Sequence, residues 1–325
     1  MRVFRGLPDP LLKRPSAVAI GNFDGVHLGH QSLLRMVCAA AHDRGLVPSV
    51  VTFEPHPKDF FGRGGEIVRI STLYDKVLRI LNTGIERVYI LPFHRSLASL
   101  SAQDFVTEIL LKGLETYWIT VGEDFRFGSD RSGSVETLST MSARYPFELY
   151  VQPMVYHEES RISSSRIREV LRAGDLFEAA QMLGRPYSMT GRVIHGAALG
   201  RTLGFPTLNM APIPPGSQAH PAVDGIFAVR IRGLSAGIGL NGVASIGRKP
   251  TVESDGRYLL ETHVFDWQGD AYGRVVEVEF VERLRGEKKF SGLEELRAAI
   301  ESDARSARRI LGCPLADSTV SPKPE

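Results

Sequence analysis

The stretch Ala17-Val18-Ala19-Ile20-Gly21-Asn22-Phe23-Asp24-Gly25-Val26-His27-Leu28-Gly29-His30 decides how the first half of the chain is read. Four apolar residues in a row read as a buried strand, and the segment after the turn places Leu33, Leu34, Val37 and Ala41 on one helical face. Between them, Gly21, Gly25 and Gly29 let the backbone turn sharply and come close to a ligand. A helix start at that point offers free N–H groups and the positive end of a dipole to phosphates. His27 and His30 are three apart, so both rings project to one side of a first helical turn. Two imidazole donors so placed can stabilise charge on a transferring phosphoryl group. Two solvated histidines in a glycine turn are the plainer reading; the strand before, the helix after and Asp24 upstream favour a nucleotide site.

Working outward, short β-branched runs alternate with helical stretches up to about Leu183. Strands are expected over Val47 to Phe53, Glu86 to Leu91, Tyr117 to Val121 and Glu148 to Val151. Ser71 is expected to cap a helix carrying Leu73, Val77, Ile80 and Leu81, and Ser101-x-x-Asp104 to open another through Leu111. Strands joined by such helices imply a parallel sheet whose ligands sit outside the carboxyl ends of the strands. The loops beginning at Gly21, Glu54 and Gly122 are therefore the ones that matter.

Near Gly184-Arg185-Pro186 the pattern changes to β-rich runs at Gly191 to Ile194, Gly225 to Ile231, Gly242 to Ile246, Arg257 to Phe265 and Val275 to Phe280. Turn signals at Asp224-Gly225, Ser254-Asp255-Gly256 and Gln268-Gly269-Asp270 separate them, which suggests a small antiparallel barrel. Ser291 is expected to cap a last helix. The fold class is therefore α/β: an N-terminal parallel-sheet, Rossmann-like domain over 1–186, an antiparallel barrel with a terminal helix over 187–312, and a flexible tail over 313–325. A length of 325 residues agrees with two domains.

Composition narrows the partners. The 39 basic and 37 acidic residues give a formal charge of +2 with no basic stripe, which disfavours nucleic acid as the main partner. No apolar run reaches the ~20 residues of a membrane helix, and the N-terminus does not read as a secretory signal. Two cysteines, Cys38 and Cys313, build neither a disulfide framework nor a zinc site, so a cytoplasmic location is expected and a homo-oligomer is compatible with the sequence.

Two further clusters carry chemistry. Arg161-Ile162-Ser163-Ser164-Ser165-Arg166-Ile167-Arg168 opens a helix with three hydroxyls, and Arg161 and Arg168 could hold a leaving pyrophosphate. Gly196-Ala197-Ala198-Leu199-Gly200-Arg201-Thr202-Leu203-Gly204-Phe205-Pro206-Thr207-Leu208-Asn209 combines a glycine loop with Thr207 and Asn209, two apart. In an extended segment their oxygens share a face and could hold a Mg2+ that carries nucleotide phosphates. Gly237-Ile238-Gly239-Leu240-Asn241-Gly242 spells a dinucleotide fingerprint, but β-branched residues follow where a helix is required, so a dinucleotide site is rejected there.

The H-x-G-H turn and the Ser-rich helix start resemble the two signatures of the nucleotidylyltransferase superfamily. More narrowly, residues 21–27, Thr52-Phe53-Glu54-Pro55-His56-Pro57, Val121 to Gly128 and the 161–168 block resemble the FAD synthetase half of prokaryotic bifunctional riboflavin kinase/FAD synthetase, with Ser165 where a Thr is common. The 196–209 block, Asn241 to Val252 and Leu260-Glu261-Thr262-His263 resemble its riboflavin kinase half, with Leu208 where Ala is usual. The resemblance implies phosphorylation of riboflavin by ATP to FMN, then adenylylation of FMN to FAD with release of pyrophosphate. It implies that Gly21, Phe23, Asp24, Gly25, His27, His30, Arg161, Ser164, Ser165 and Arg168 serve ATP in the transferase, and Gly196, Gly200, Arg201, Gly204, Thr207 and Asn209 in the kinase. Glu261 is implied as the base that takes the proton of the ribityl 5′-hydroxyl, with His27 and His30 catalytic in the other half. His56, Asp124 and Phe125 are candidates for the flavin of the transferase; His56 alternatively only caps its turn, and Phe125 is alternatively a core residue.

Overall fold

Strand β2 (Ser16–Ile20) is buried along its whole length, as a central strand of a parallel sheet must be. Its alternate residues feed two cores: Ala17 and Ala19 pack with Leu34 and Val37, whereas Val18 and Ile20 pack with Leu110 and Leu138. The computed structural model describes residues 1–62, 67–158, 160–196, 199–214, 216–235, 237, 239–248 and 257–313, and only the backbone of Leu199. Ser254 to Gly256, the 249–252 part of the second motif and nearly all of the tail lie outside the described residues.

Strands β1 (Arg2–Arg5), β2, β3 (Val47–Glu54), β4 (Arg87–Pro92), β5 (Thr116–Gly122) and β6 (Glu148–Gln152) form one sheet in the order β1-β4-β3-β2-β5-β6. Every pairing in it is parallel. The chain runs outward from β2 through β3 and β4, then returns to β5 on the other side, so the switch point lies between the ends of β2 and β5. Helix α1 (Leu28–Arg44) follows β2 and buries Leu33, Leu34, Val37, Ala40 and Ala41. Helix α2 (Leu73–Leu81) is capped by Thr72 and not by Ser71, because the Ser71 hydroxyl is engaged with Gly25 and Asp24. Ser101 does accept from the Asp104 N–H at 3.0 Å, but the helix it opens continues from Phe105 to Gly113 with π-helical bonding.

The second half is the expected barrel. Strands β7 (Ser188–Arg192), β8 (Leu208–Met210), β9 (Gly225–Arg232), β10 (Leu240–Arg248), β11 (Tyr258–Val264) and β12 (Val275–Arg285) pair antiparallel in the order β7-β12-β9-β10-β11-β8. A bridge between Ile194 and Asn209 nearly closes it. Gly242 lies within β10, not at a helix start, in keeping with the rejected dinucleotide reading. The last helix, α4 (Leu293–Ile310; α3 is Ser164–Ala173), has Gly292 and not Ser291 at its N-cap, since Ser291 donates to the Glu295 carboxylate instead. The chain divides into two compact units: Met1–Arg168 with 181–184 and 216–220, and 169–180 with 185–215 and 221–325. No helix among the described residues is long and apolar enough to cross a membrane.

Candidate functional site

In the first unit the turn after β2 holds an unusual backbone. Phe23, Gly25 and Val26 have φ of 51°, 83° and 42°, in the left-handed region. Two of them are not glycine, at a cost of about 1–3 kcal/mol each, and they persist because Phe23 and Val26 are locked into the core. The turn aims the Asp24 carboxylate inward, where it accepts from the N–H groups of Ile70 and Ser71 at 3.1 Å. It also accepts from Arg168 at 2.6 Å, and Arg168 is fixed from behind by the Val68 carbonyl. Burial pushes the Asp24 pKa up, but Arg168 and the two N–H groups outweigh it and hold the carboxyl below its ordinary range.

His27 is the N-cap of α1: its Nδ1 accepts from the His30 N–H at 3.3 Å. The proton of the neutral ring therefore sits on Nε2. The His27 and His30 rings stack with centroids 3.7 Å apart, and Phe23 meets His30 edge-on at 5.1 Å. Burial, then the neighbouring titratable groups His27, Arg168 and Lys76, which disfavour a further positive charge beside them, drive the His30 pKa well below that of a free imidazole. Its Nδ1 is buried with no hydrogen-bond partner among the described residues. The two rings thus form a pair of dipoles at a helix N-terminus, as the spacing predicted.

Ser164 donates to the Asp24 carbonyl at 3.0 Å, tying the Ser-rich helix to the same turn. Ser163 accepts from the Arg166 N–H, whereas Ser165 is exposed. Arg161 is paired with Asp124 in the structure, so these two candidates, expected to serve different ligands, hold each other. Phe125 stacks on Phe127 at 5.4 Å and packs on the core. His56 caps the short helix Pro57–Phe61 and also lines a small cleft with Asp24, Arg69, Ser71, Leu73 and Lys76. Burial pushes its pKa down to about 4, so it is neutral near pH 7.

Sequence reasoning missed Lys76, Arg69 and Thr52. Lys76 is buried, and its ammonium donates to the Thr52 hydroxyl at 3.3 Å. Arg69 is clamped between Glu54, at 2.8 Å, and Asp59. A signal for Lys76 was present: it occupies the Leu73, Val77, Ile80 stripe, where an apolar residue belongs.

In the second unit Asn209 and Glu261 are Cα partners across β8 and β11, and Ser245 of β10 is the partner of Glu261 on its other side. Side chains of directly opposed residues share a face. Asn209 is buried, and its Oδ1 has no hydrogen-bond partner among the described residues. The glycine loop is tightly packed: a Cβ on Gly196 would lie 2.5 Å from the Asn209 side chain, and one on Gly200 2.3 Å from the Phe205 carbonyl and 3.4 Å from the Thr207 methyl. Gly204 turns at φ 86°, and its N–H donates to the Arg201 carbonyl. The His263 Nδ1–H donates to the Pro206 carbonyl, 2.9 Å away, so it braces the loop. An orphaned buried carbonyl oxygen on a residue paired across the sheet with Glu261 suits a hard cation, which takes oxygen ligands.

Two family models match the chain: FAD synthetase over residues 10–166 and riboflavin kinase over 183–311. The bifunctional riboflavin kinase/FMN adenylyltransferase of Haemophilus influenzae is 38% identical over 309 residues, covering 95% of this chain and 98% of that protein. That of Escherichia coli K12 is 37% identical over 315 residues, covering 96% and 98%. A crystal structure described as a macrolide-efflux protein from Streptococcus pneumoniae superposes with a TM-score of 0.69 at 30% identity, covering 93% of this chain and 96% of that one.

Proposed function

Because the chain belongs to the family of bifunctional riboflavin kinase/FMN adenylyltransferases, we propose an assignment of its two activities to two separate sets of residues. The protein phosphorylates riboflavin with ATP to FMN and joins FMN to AMP from a second ATP, releasing pyrophosphate, to give FAD. We assign the adenylyl transfer to residues 1–186 and the phosphorylation to 187–312.

In the first reaction site, an oxygen of the FMN phosphate attacks the α-phosphorus of ATP and the bond to pyrophosphate breaks. No protein nucleophile is needed; positioning and charge stabilisation carry the step. His27 and His30 donate to the phosphates at the α1 N-terminus, where the neutral His27 ring offers Nε2–H. Gly21, Phe23 and Gly25 shape the turn, Asp24 and Arg168 fix it, and Ser164, Ser165 and Arg161 extend the binding surface. His56, Asp124 and Phe125 face the flavin.

In the kinase site Glu261 takes the proton of the ribityl 5′-hydroxyl as its oxygen attacks the γ-phosphorus, and ADP leaves. Gly196, Gly200, Arg201 and Gly204 hold the nucleotide loop, while Thr207 and Asn209 supply oxygens to Mg2+. Bound there, Mg2+ would neutralise charge on the ATP phosphates. The observation that carries this reading is the direct pairing of Asn209, with its orphaned Oδ1, against Glu261. The substrates ATP, riboflavin and FMN are the partners proposed. Two free cysteines are in keeping with a cytoplasmic location.

The test is to incubate the protein with riboflavin, ATP and Mg2+, then with preformed FMN, and to separate FMN from FAD by chromatography. Both products should form, and chelation with EDTA should stop FMN production. FMN production that persists in EDTA overturns the cation assignment.

A further inference from the structure

The histidine pair lies beyond the carboxyl ends of the parallel strands. At the opposite, amino-terminal end, Arg2 of β1 and Arg87 of β4 are Cα partners on neighbouring strands. They line a cleft of about 300 Å3 with Leu11, Leu12, Arg14 and Glu86. Arg87 is only 7% exposed, yet among the described residues its guanidinium meets no carboxylate. Nη1 donates to the Leu12 carbonyl at 2.7 Å and to the Tyr89 hydroxyl at 3.3 Å, and the group lies 5.9 Å from the Phe4 ring centroid. Among the described residues, Nε and Nη2 have no acceptor, and Arg2 and Arg14 form no ion pair.

This arrangement is unfavourable by itself. Like charges side by side on adjacent strands repel. Arg87, largely buried and without a counter-charge, carries a desolvation cost that its neutral acceptors offset only in part, while its remaining nitrogens keep some contact with solvent. One carboxylate, Glu86, stands against three guanidinium groups in the cleft. The missing component is a compact anion with several acceptor oxygens, which guanidinium forks recognise in bidentate fashion. Leu11 and Leu12, at 94% and 38% exposure, add an apolar wall against which an organic body can lie.

We propose that this cleft binds the phosphate group of a small molecule, at a site separate from both reaction centres. The recognised chemistry is a phosphate dianion, supplied as the free ion or as a phosphate monoester.

The experiment uses the full chain and the Arg2→Gln/Arg14→Gln variant, both changes lying at exposed side chains outside the catalytic machinery. Inorganic phosphate, pyrophosphate and AMP are titrated calorimetrically in separate arms, at an ionic strength held constant with NaCl. The wild type should show a binding event that the variant loses or weakens by roughly tenfold or more, the loss of at least one charge-assisted hydrogen bond. Rates of FMN and FAD formation should be equal in the two proteins. Tighter binding of AMP than of phosphate identifies a monoester as the ligand, and equal binding identifies the free anion. Identical isotherms for wild type and variant in all three arms overturn the proposal.

Discussion

Asp24 and Arg168 stand 144 residues apart in sequence and 2.6 Å apart in the fold, both largely buried. The ion pair fastens the Ser-rich helix to the glycine turn that carries the histidines. Arg168→Gln leaves the Asp24 carboxylate buried without its partner, which typically costs about 3–5 kcal/mol. Adding Asp24→Asn should restore part of that loss, so the double variant is more stable than the sum of the single changes requires. Urea unfolding followed through Trp118, with Trp267 replaced by Phe, measures it; additive effects would mean that the pair does not act as a unit.

His27→Ala together with His30→Ala should abolish FAD formation while FMN accumulates. Removing one donor of this kind costs on the order of 10²–10³ in rate. Chromatography of the products from riboflavin and ATP distinguishes the outcomes. Equal loss of both activities would contradict two separate sites.

Glu261→Gln should stop riboflavin phosphorylation by a factor of about 10²–10⁴ and leave adenylylation of preformed FMN intact. Gln preserves volume and one acceptor oxygen, so binding of riboflavin should survive. Thr207→Ala should behave differently, raising the Mg2+ concentration needed for half-maximal activity by roughly tenfold or more. A Gln variant that makes FMN at the wild-type rate would reduce Glu261 to a strand residue, with His263 the next base to test.

Acid should weaken the first unit through its neutral histidines. His56 titrates near 6.5 in the unfolded chain and at about 4 in the fold. Between those values the unfolded chain binds the extra proton, so stability is complete above pH 6.5 and falls as the pH drops. From pH 7.5 to pH 5 the loss from His56 is about 2 kcal/mol, and the lowered pKa of His30 adds to it in the same direction. His56→Asn keeps a cap acceptor for the Lys58 N–H and should flatten the pH profile of the urea midpoint. An unchanged profile would show that His56 protonates freely in the fold.

Periodicity and turn chemistry made both sheets legible, because a buried parallel strand such as β2 and a barrel strand such as β9 declare themselves locally. Strand β1 was not legible: four residues with Arg at both ends pair only because β4 offers a free edge. The helix starts near Ser71 and Ser291 were each expected one residue too early: the long-range partners Gly25 and Asp24 claim the Ser71 hydroxyl, and the Glu295 carboxylate of the same helix claims that of Ser291. The histidine turn and the Thr207–Asn209 loop could be read from spacing. The Asp24–Arg168 and Asp124–Arg161 pairs could not, because long-range ion pairs leave no trace in local pattern.

The bridge between Ile194 and Asn209 has a kinetic consequence. The Ile194 amide donates to the Asn209 carbonyl at 2.8 Å, so the residue proposed to hold the cation with its side chain also latches the barrel seam with its backbone. Whatever immobilises Asn209 must slow the opening of that seam. The exchange of one backbone hydrogen with deuterated solvent thereby becomes a clock for occupancy of the site, readable without following the reaction at all.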